Sequence, residues 1–206
     1  LLCLFSPRLP EAQAKAVPSS GGQSGEKVGM VMADTTAGAL AAAISALGTG
    51  RFPKRMLLLL RDIAGTDLCS AFERTPDGSL HYLFAAGEHP RIANFAETAS
   101  IAYARRYWQR DWTTQRALAR AEDGVHLVRQ AWNGIADPDY RRACYERAGI
   151  VERLTLYSSG ARTVFVSAYR TRESGHSSPA QVAALEELAP ALCALVERHA
   201  GLARAA

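Results

Sequence analysis

Long apolar runs, clustered cysteines and charge of one sign are all scarce in this chain of 206 residues. The apolar stretch Met56 to Leu60, between Arg55 and Arg61, falls far short of the ~20 residues that cross a bilayer, which speaks against a membrane span. Cys3, Cys69, Cys144 and Cys193 form no Cys-x-x-Cys pair, which removes a structural zinc site and a disulfide framework and favours a reducing, cytoplasmic setting. Lysine is limited to Lys15, Lys27 and Lys54, and a formal charge of +4 demands no polyanionic partner. His81, His89, His126, His176 and His199 lack the short spacings of metal motifs. The Gly-x-Ser-x-Gly elbow, the phosphate-binding loop and the Gly-x-Gly-x-x-Gly fingerprint are missing too, so no enzyme class, metal or cofactor is expected.

What is present is an ordinary globular composition, 48% hydrophobic and 21% charged, in a length that makes about one domain. Residues 1–31 carry Pro7, Pro10, Pro18 and a Ser-Ser-Gly-Gly stretch and read as a disordered leader, with Leu1 to Phe5 too short for a secretion signal. The domain is expected over 32–200, with 201–206 as a tail. Asp34 or Thr35 can cap a first helix that Gly48 and Gly50 stop, and Pro53 suits the start of a second with Met56, Leu59, Leu60 and Ile63 as its buried stripe. Leu68 to Arg74 and Leu80 to Ala85 flank Thr75-Pro76-Asp77-Gly78, a hairpin turn signature. Phe95, Ala99, Tyr103 and Tyr107 repeat at helical spacing, and a short helix (113–120) and a strand (125–129) follow.

Asp137-Pro138 opens another helix that Gly149 ends, and Arg153 to Tyr157 and Thr163 to Arg170 form a second hairpin around Ser158-Ser159-Gly160. Ser178-Pro179-Ala180-Gln181 reads as a capping box for a long last helix containing Pro190. The order ααββα(α)βαββα predicts an α+β fold, a five-stranded antiparallel sheet between helix layers, as in PAS and GAF folds. The last helix carries Leu185, Leu188, Leu192, Leu195 and Val196, a stripe wide enough to predict a homodimer along it.

Chemistry concentrates around Tyr103, Tyr107, Trp108, Asp111 and Trp112, with Trp132 beyond the next strand. Aromatic walls with one convergent carboxylate suit a small-molecule pocket, although the same tyrosines suit a core and Asp111 suits a helix cap. No basic residue near Asp111 in sequence is placed to pair with it, so its lone pairs call for ligand or water donors. The arginines around 105–120 and 141–147 are interleaved with Glu122, Asp123, Asp137, Asp139 and Glu146, the pattern of a solvated face rather than of a DNA contact. Cys69 and His81 sit on partner strands, which leaves a thiol–imidazole pair open as an enzymatic alternative.

The stretch Tyr103-Ala-Arg-Arg-Tyr107-Trp-Gln-Arg-Asp111-Trp-Thr113, then Trp132, Tyr140 through Leu156, and Arg162 to Ser167, resembles the autoinducer-binding domain of LuxR-type transcriptional regulators over roughly residues 35–200. The resemblance implies a small-molecule signal, an acyl-lactone or an aryl analogue, held by Tyr103, Tyr107, Asp111, Trp132, Thr155 and Ser167. Asp111 would take the signal's amide N–H, and Thr155 and Ser167 its acyl carbonyl. Trp112 stands where the family has a proline, and no residue matches the tryptophan that holds the lactone carbonyl. The family continues into a helical DNA-binding domain, which is expected to be absent here. The resemblance also implies a homodimer in quorum-sensing-like regulation. A PAS- or GAF-like interaction domain without ligand is the alternative, and a void of roughly 300 Å³ between the sheet and the Phe95–Tyr107 helix would separate the two.

Overall fold

A computed structural model of the chain describes residues 36–119, 124–159 and 162–205. The expected leader, Cys3, the Asp34/Thr35 cap and Gly160 of the second hairpin lie outside these residues. Helices α1 (Thr36–Ser45) and α2 (Phe52–Ala64) come first, and α2 has proline in its first turn and left-handed Gly65 (φ 63°) as its terminator. A side chain at Gly65 would meet the Arg170 guanidinium, whose Nη1 donates to the Ala64 carbonyl at 2.8 Å. Strands β1 (Leu68–Arg74) and β2 (Leu80–Ala86) form the expected hairpin, closed by the Gly78 N–H on the Thr75 carbonyl at 2.9 Å.

The predicted aromatic helix is composite. Helix α3 (Phe95–Ala102) runs into a π-helical turn (Tyr103–Tyr107) and a 3₁₀ turn (Trp108–Arg110) before Asp111 leaves helical geometry and α4 (Trp112–Ala119) begins. Strand β3 (Gly124–Ala131), a 3₁₀ turn (Trp132–Gly134), α5 (Pro138–Cys144), β4 (Ile150–Ser159), β5 (Thr163–Thr171) and α6 (Pro179–Ala205) complete the chain. The Asp137 carboxylate caps α5 by accepting from the Tyr140 N–H at 2.9 Å. At α6, Ser178 Oγ accepts from the Gln181 N–H at 3.2 Å while Gln181 Oε1 accepts from the Ser178 N–H at 2.9 Å, a reciprocal capping box.

The sheet is antiparallel in the order β2-β1-β5-β4-β3. Alternation along each strand sends Cys69, Ala71, Leu154, Leu156, Val164, Val166 and Ala168 to one face, where they pack on α2 and α6. Leu68, Phe72, Tyr157 and Phe165 point to the other face, against Phe95, Tyr103, Trp108, Tyr140 and Tyr145. The architecture is therefore the expected α+β sandwich, a five-stranded antiparallel sheet between helix layers.

Three expectations about α6 change. The helix runs on through Gly201, so the segment expected as a tail is its last turn. By length and apolarity α6 could cross a membrane, a property hidden from a search for unbroken apolar runs because Glu186, Glu187 and Pro190 interrupt it. In this fold it is a core helix: Leu185, Leu192, Leu195 and Val196 are buried by α2 and the sheet, and Leu188 packs beside them. The stripe expected to await a partner is thus covered within one chain, and among the described residues the large apolar side chains that stay exposed are Ile44 and Trp112.

Candidate functional site

The second face of the sheet carries a polar cluster in its interior. Asp111 ends the 3₁₀ turn and directs its carboxylate inward, and Arg153 rises from β4 in phase with Thr155 and Tyr157 to meet it, Nη2 to Oδ2 at 2.8 Å. Both side chains are essentially inaccessible, 1% and 3% exposed. Asp111 Oδ2 also accepts from the hydroxyls of Tyr103 at 2.9 Å, Thr114 at 2.9 Å and Tyr140 at 3.1 Å. Oδ1 accepts from the Thr114 N–H at 3.2 Å, so the aspartate caps α4 as well as joining the cluster. Arg153 donates through Nη1 to the Tyr140 oxygen at 3.0 Å and through Nη2 to Gln130 Oε1 at 2.5 Å, while Gln130 in turn donates to Thr113 at 3.0 Å. Tyr157 and Thr114 share a hydroxyl contact at 2.7 Å, and Tyr140 and Tyr145 one at 3.2 Å.

Burial works against the Asp111 charge, but the Arg153 guanidinium and the Thr114 donors outweigh it and hold the carboxyl below its ordinary range. Burial likewise disfavours the Arg153 charge, and Asp111 overcomes it and raises the guanidinium well above its usual value. Burial pushes the hydroxyls of Tyr103, Tyr140 and Tyr145 far up, so all three stay protonated donors. The cluster is a charge-neutral ion pair in phenolic walls. Its unused capacity is small: Arg153 Nε–H is buried without a partner among the described residues, and Asp111 Oδ1 accepts one hydrogen bond.

The expected site residues divide. Tyr103 and Asp111 are at the centre of the cluster. Tyr107 is half-buried beside it, its ring 5.8 Å from that of Tyr140. Thr155 and Ser167 are buried cross-strand partners on the same face and bond each other at 3.0 Å, without a direct hydrogen bond to Asp111. Trp132 takes no hydrogen bond with the cluster, and the Arg172 guanidinium lies 5.8 Å from its ring centroid. Sequence reading missed Arg153, and with it the answer to the Asp111 charge: the carboxylate's donors are supplied by the chain itself. The signal was available, because β4 alternation puts Arg153 on the same face as Thr155 and Tyr157. Thr114, Tyr140, Tyr145 and Tyr157 were also missed as members.

Beside the cluster, between α3, α5 and the sheet, Phe95, Ser100, Tyr103, Tyr140, Tyr145 and Tyr169 surround a void of about 20 Å³. That is room for a single water and not for a signal molecule, well below the roughly 300 Å³ that separates the two expected readings.

The thiol–imidazole alternative fails. The β1–β2 register places Cys69 opposite Ala86 and His81 opposite Glu73, at the far end of the hairpin. The Cys69 thiol lies in the α2/α6 core, where burial pushes its pKa to about 12. Among the described residues no cluster of His, Cys, Asp or Glu is arranged to hold a metal ion.

No protein-family model and no curated protein sequence matches the chain. Among solved structures it is similar to the VqsR LBD domain from Pseudomonas aeruginosa, with a TM-score of 0.60 and 18% identity over 82% of this chain and 96% of that one. It is also similar to CepR2 from Burkholderia cenocepacia, an N-acylhomoserine lactone dependent LuxR family transcription factor, with a TM-score of 0.56 and 11% identity over 84% of this chain and 94% of that one. At such identities the likeness concerns architecture, and the chain has the fold of the ligand-binding domains of LuxR-type regulators.

Proposed function

We propose that this chain is the sensory domain of a LuxR-type transcriptional regulator and that it responds to a small signal entering the face between the sheet and the α3/α5 layer. The observation that carries the proposal is the buried Asp111–Arg153 pair. Desolvating two charges costs several kcal/mol, and a packed apolar core is usually the more stable alternative. A polar cluster at that depth, with Thr155 and Ser167 beside it on the same sheet face, supplies what recognition of an acyl-lactone or aryl analogue needs: apolar walls and a few placed donors and acceptors. Asp111 Oδ1 would accept from a signal N–H and Arg153 Nε would donate to a carbonyl. The reading places the sensory unit from about residue 32 to the end of α6, in a cytoplasmic homodimer that acts on DNA through a separate domain.

The void of about 20 Å³ favours a second reading, a ligand-free interaction domain whose centre is filled by its own arginine. Sensing requires α3 and α5 to move apart on binding. The test is mass spectrometry of molecules that co-purify with the protein, together with thermal shifts over a panel of acyl-lactones and aryl analogues. Binding at 100 times the dissociation constant adds about 2.7 kcal/mol, a shift of several degrees. The shift is expected to shrink in Ser167→Ala and Thr155→Val. An empty protein that no compound shifts establishes the interaction reading instead.

A further inference from the structure

We propose that the groove between the π-helical turn and α5 is a binding site for a small phosphate-bearing anion. The groove, about 390 Å³ in volume, is lined by Arg106, Tyr107 and Arg110 from the turn region and by Asp139, Arg142 and Arg147 from α5 and the turn after it. Four guanidiniums therefore face one carboxylate. Two local charges are already answered, Arg110 by Asp137 at 2.8 Å and the neighbouring Arg141 by Glu146 at 2.8 Å. Arg106, Arg142 and Arg147 have no acidic partner within ion-pair distance among the described residues. Like charges gathered around one concavity repel, and an anion seated among them removes the repulsion while accepting paired N–H bonds from each planar fork.

The sequence kept these arginines in two separate, charge-mixed stretches. The fold joins them, and Arg106 sits on a π-helical turn, an interruption frequent at functional sites. The class of ligand follows from what else lines the groove. The Tyr107 ring is engaged by the Arg110 guanidinium 5.2 Å from its centroid and by the Tyr140 ring, so no free aromatic face remains for stacking a base. The volume is that of a small-molecule site, and Asp139 would oppose the successive phosphates of a duplex backbone. The ligand recognised is thus the phosphate group itself, free or as the terminal group of a small metabolite. This site is separate from the Asp111 cluster and does not depend on the sensing proposal.

The experiment is calorimetric titration of the intact chain with inorganic phosphate, pyrophosphate and a short DNA duplex. Pyrophosphate is expected to bind saturably at one site, more tightly than phosphate, and to lose at least about tenfold in affinity in R142Q/R147Q, the equivalent of one lost charge-assisted hydrogen bond. The exposed pair R55Q/R198Q removes the same charge elsewhere and is expected to leave the affinity unchanged. Absence of saturable binding, equal weakening in both double variants, or duplex binding tighter than pyrophosphate would each overturn the proposal. Thermal melting of the variants confirms that they fold.

Discussion

The two faces of the sheet solve the same packing problem with different chemistry. Against α2 and α6 the interior is mostly aliphatic, built from Met56, Leu59, Leu60, Leu154, Val166, Leu192 and Val196, with His199 among them and Glu152 and Ser158 as buried polar residues of the same face. His199 stacks on Phe52 at 4.1 Å and accepts the Gly48 N–H on Nδ1 at 3.1 Å, which answers its polarity. Against α3 and α5 the interior is phenolic and holds an ion pair. An aliphatic face tolerates replacement by any shape that fills it, whereas the phenolic face depends on each donor finding its acceptor. One face therefore behaves as scaffold, and the other as the place where a change of composition is felt as chemistry.

The largest expected effect breaks the polar face. Asp111→Asn leaves the Arg153 charge buried without its counter-ion and is expected to lower stability by about 3–5 kcal/mol in urea unfolding. Asp111→Leu combined with Arg153→Met removes both charges and is expected to recover most of that loss. A double variant as unstable as the single one would show that the cluster's geometry, and not its charge balance, holds this face. On the aliphatic face Leu192→Ala is expected to cost about 2–5 kcal/mol, with no second charge-like substitution able to restore it.

The smallest effect is a pH window that distinguishes the faces. Tyr103, Tyr140 and Tyr145 have folded pKa values raised by burial above the unfolded value. Their protonation therefore contributes stability that is complete below about pH 10 and is lost as the pH rises above it. Tyrosinate absorbance is expected to appear together with loss of near-ultraviolet circular dichroism, as one transition. Asp111 has the opposite sign: its lowered pKa gives stability present above about pH 3.9 and lost below it. Tyrosinate forming gradually in a folded chain would place these hydroxyls in contact with water.

Local signals carried most of the fold. The hairpin turn at Thr75 to Gly78, the Asp137 cap, the Ser178/Gln181 box and the strands β1 and β5 all announce themselves through residues within a few positions of one another. The candidate site was legible only by halves. Tyr103 and Asp111 are eight residues apart and share one segment, but their partner Arg153 comes from β4, next to Glu152, where alternation gives the face of each side chain and not its partner. Both are buried, because Glu152 accepts from the Ser177 N–H at 2.7 Å and from Arg129 at 2.5 Å while Arg153 turns to the opposite face. Long-range pairing of this kind leaves no mark at short spacing. The same holds for Leu185, Leu192 and Val196 on α6, which share one core cluster with α2, far earlier in the chain.

The strand order has a consequence for synthesis. Strand β1 pairs early with β2, but its other edge waits for β5, so that Ser70 finds Ser167 only when most of the chain has been made. Until then the growing polypeptide presents an unpaired strand edge containing Leu68, Ala71 and Phe72, a template for unwanted strand addition. Because β5 joins the early hairpin to the late β4–β3 pair, its arrival closes the sheet in one non-local step, and both faces acquire their floor at the same moment.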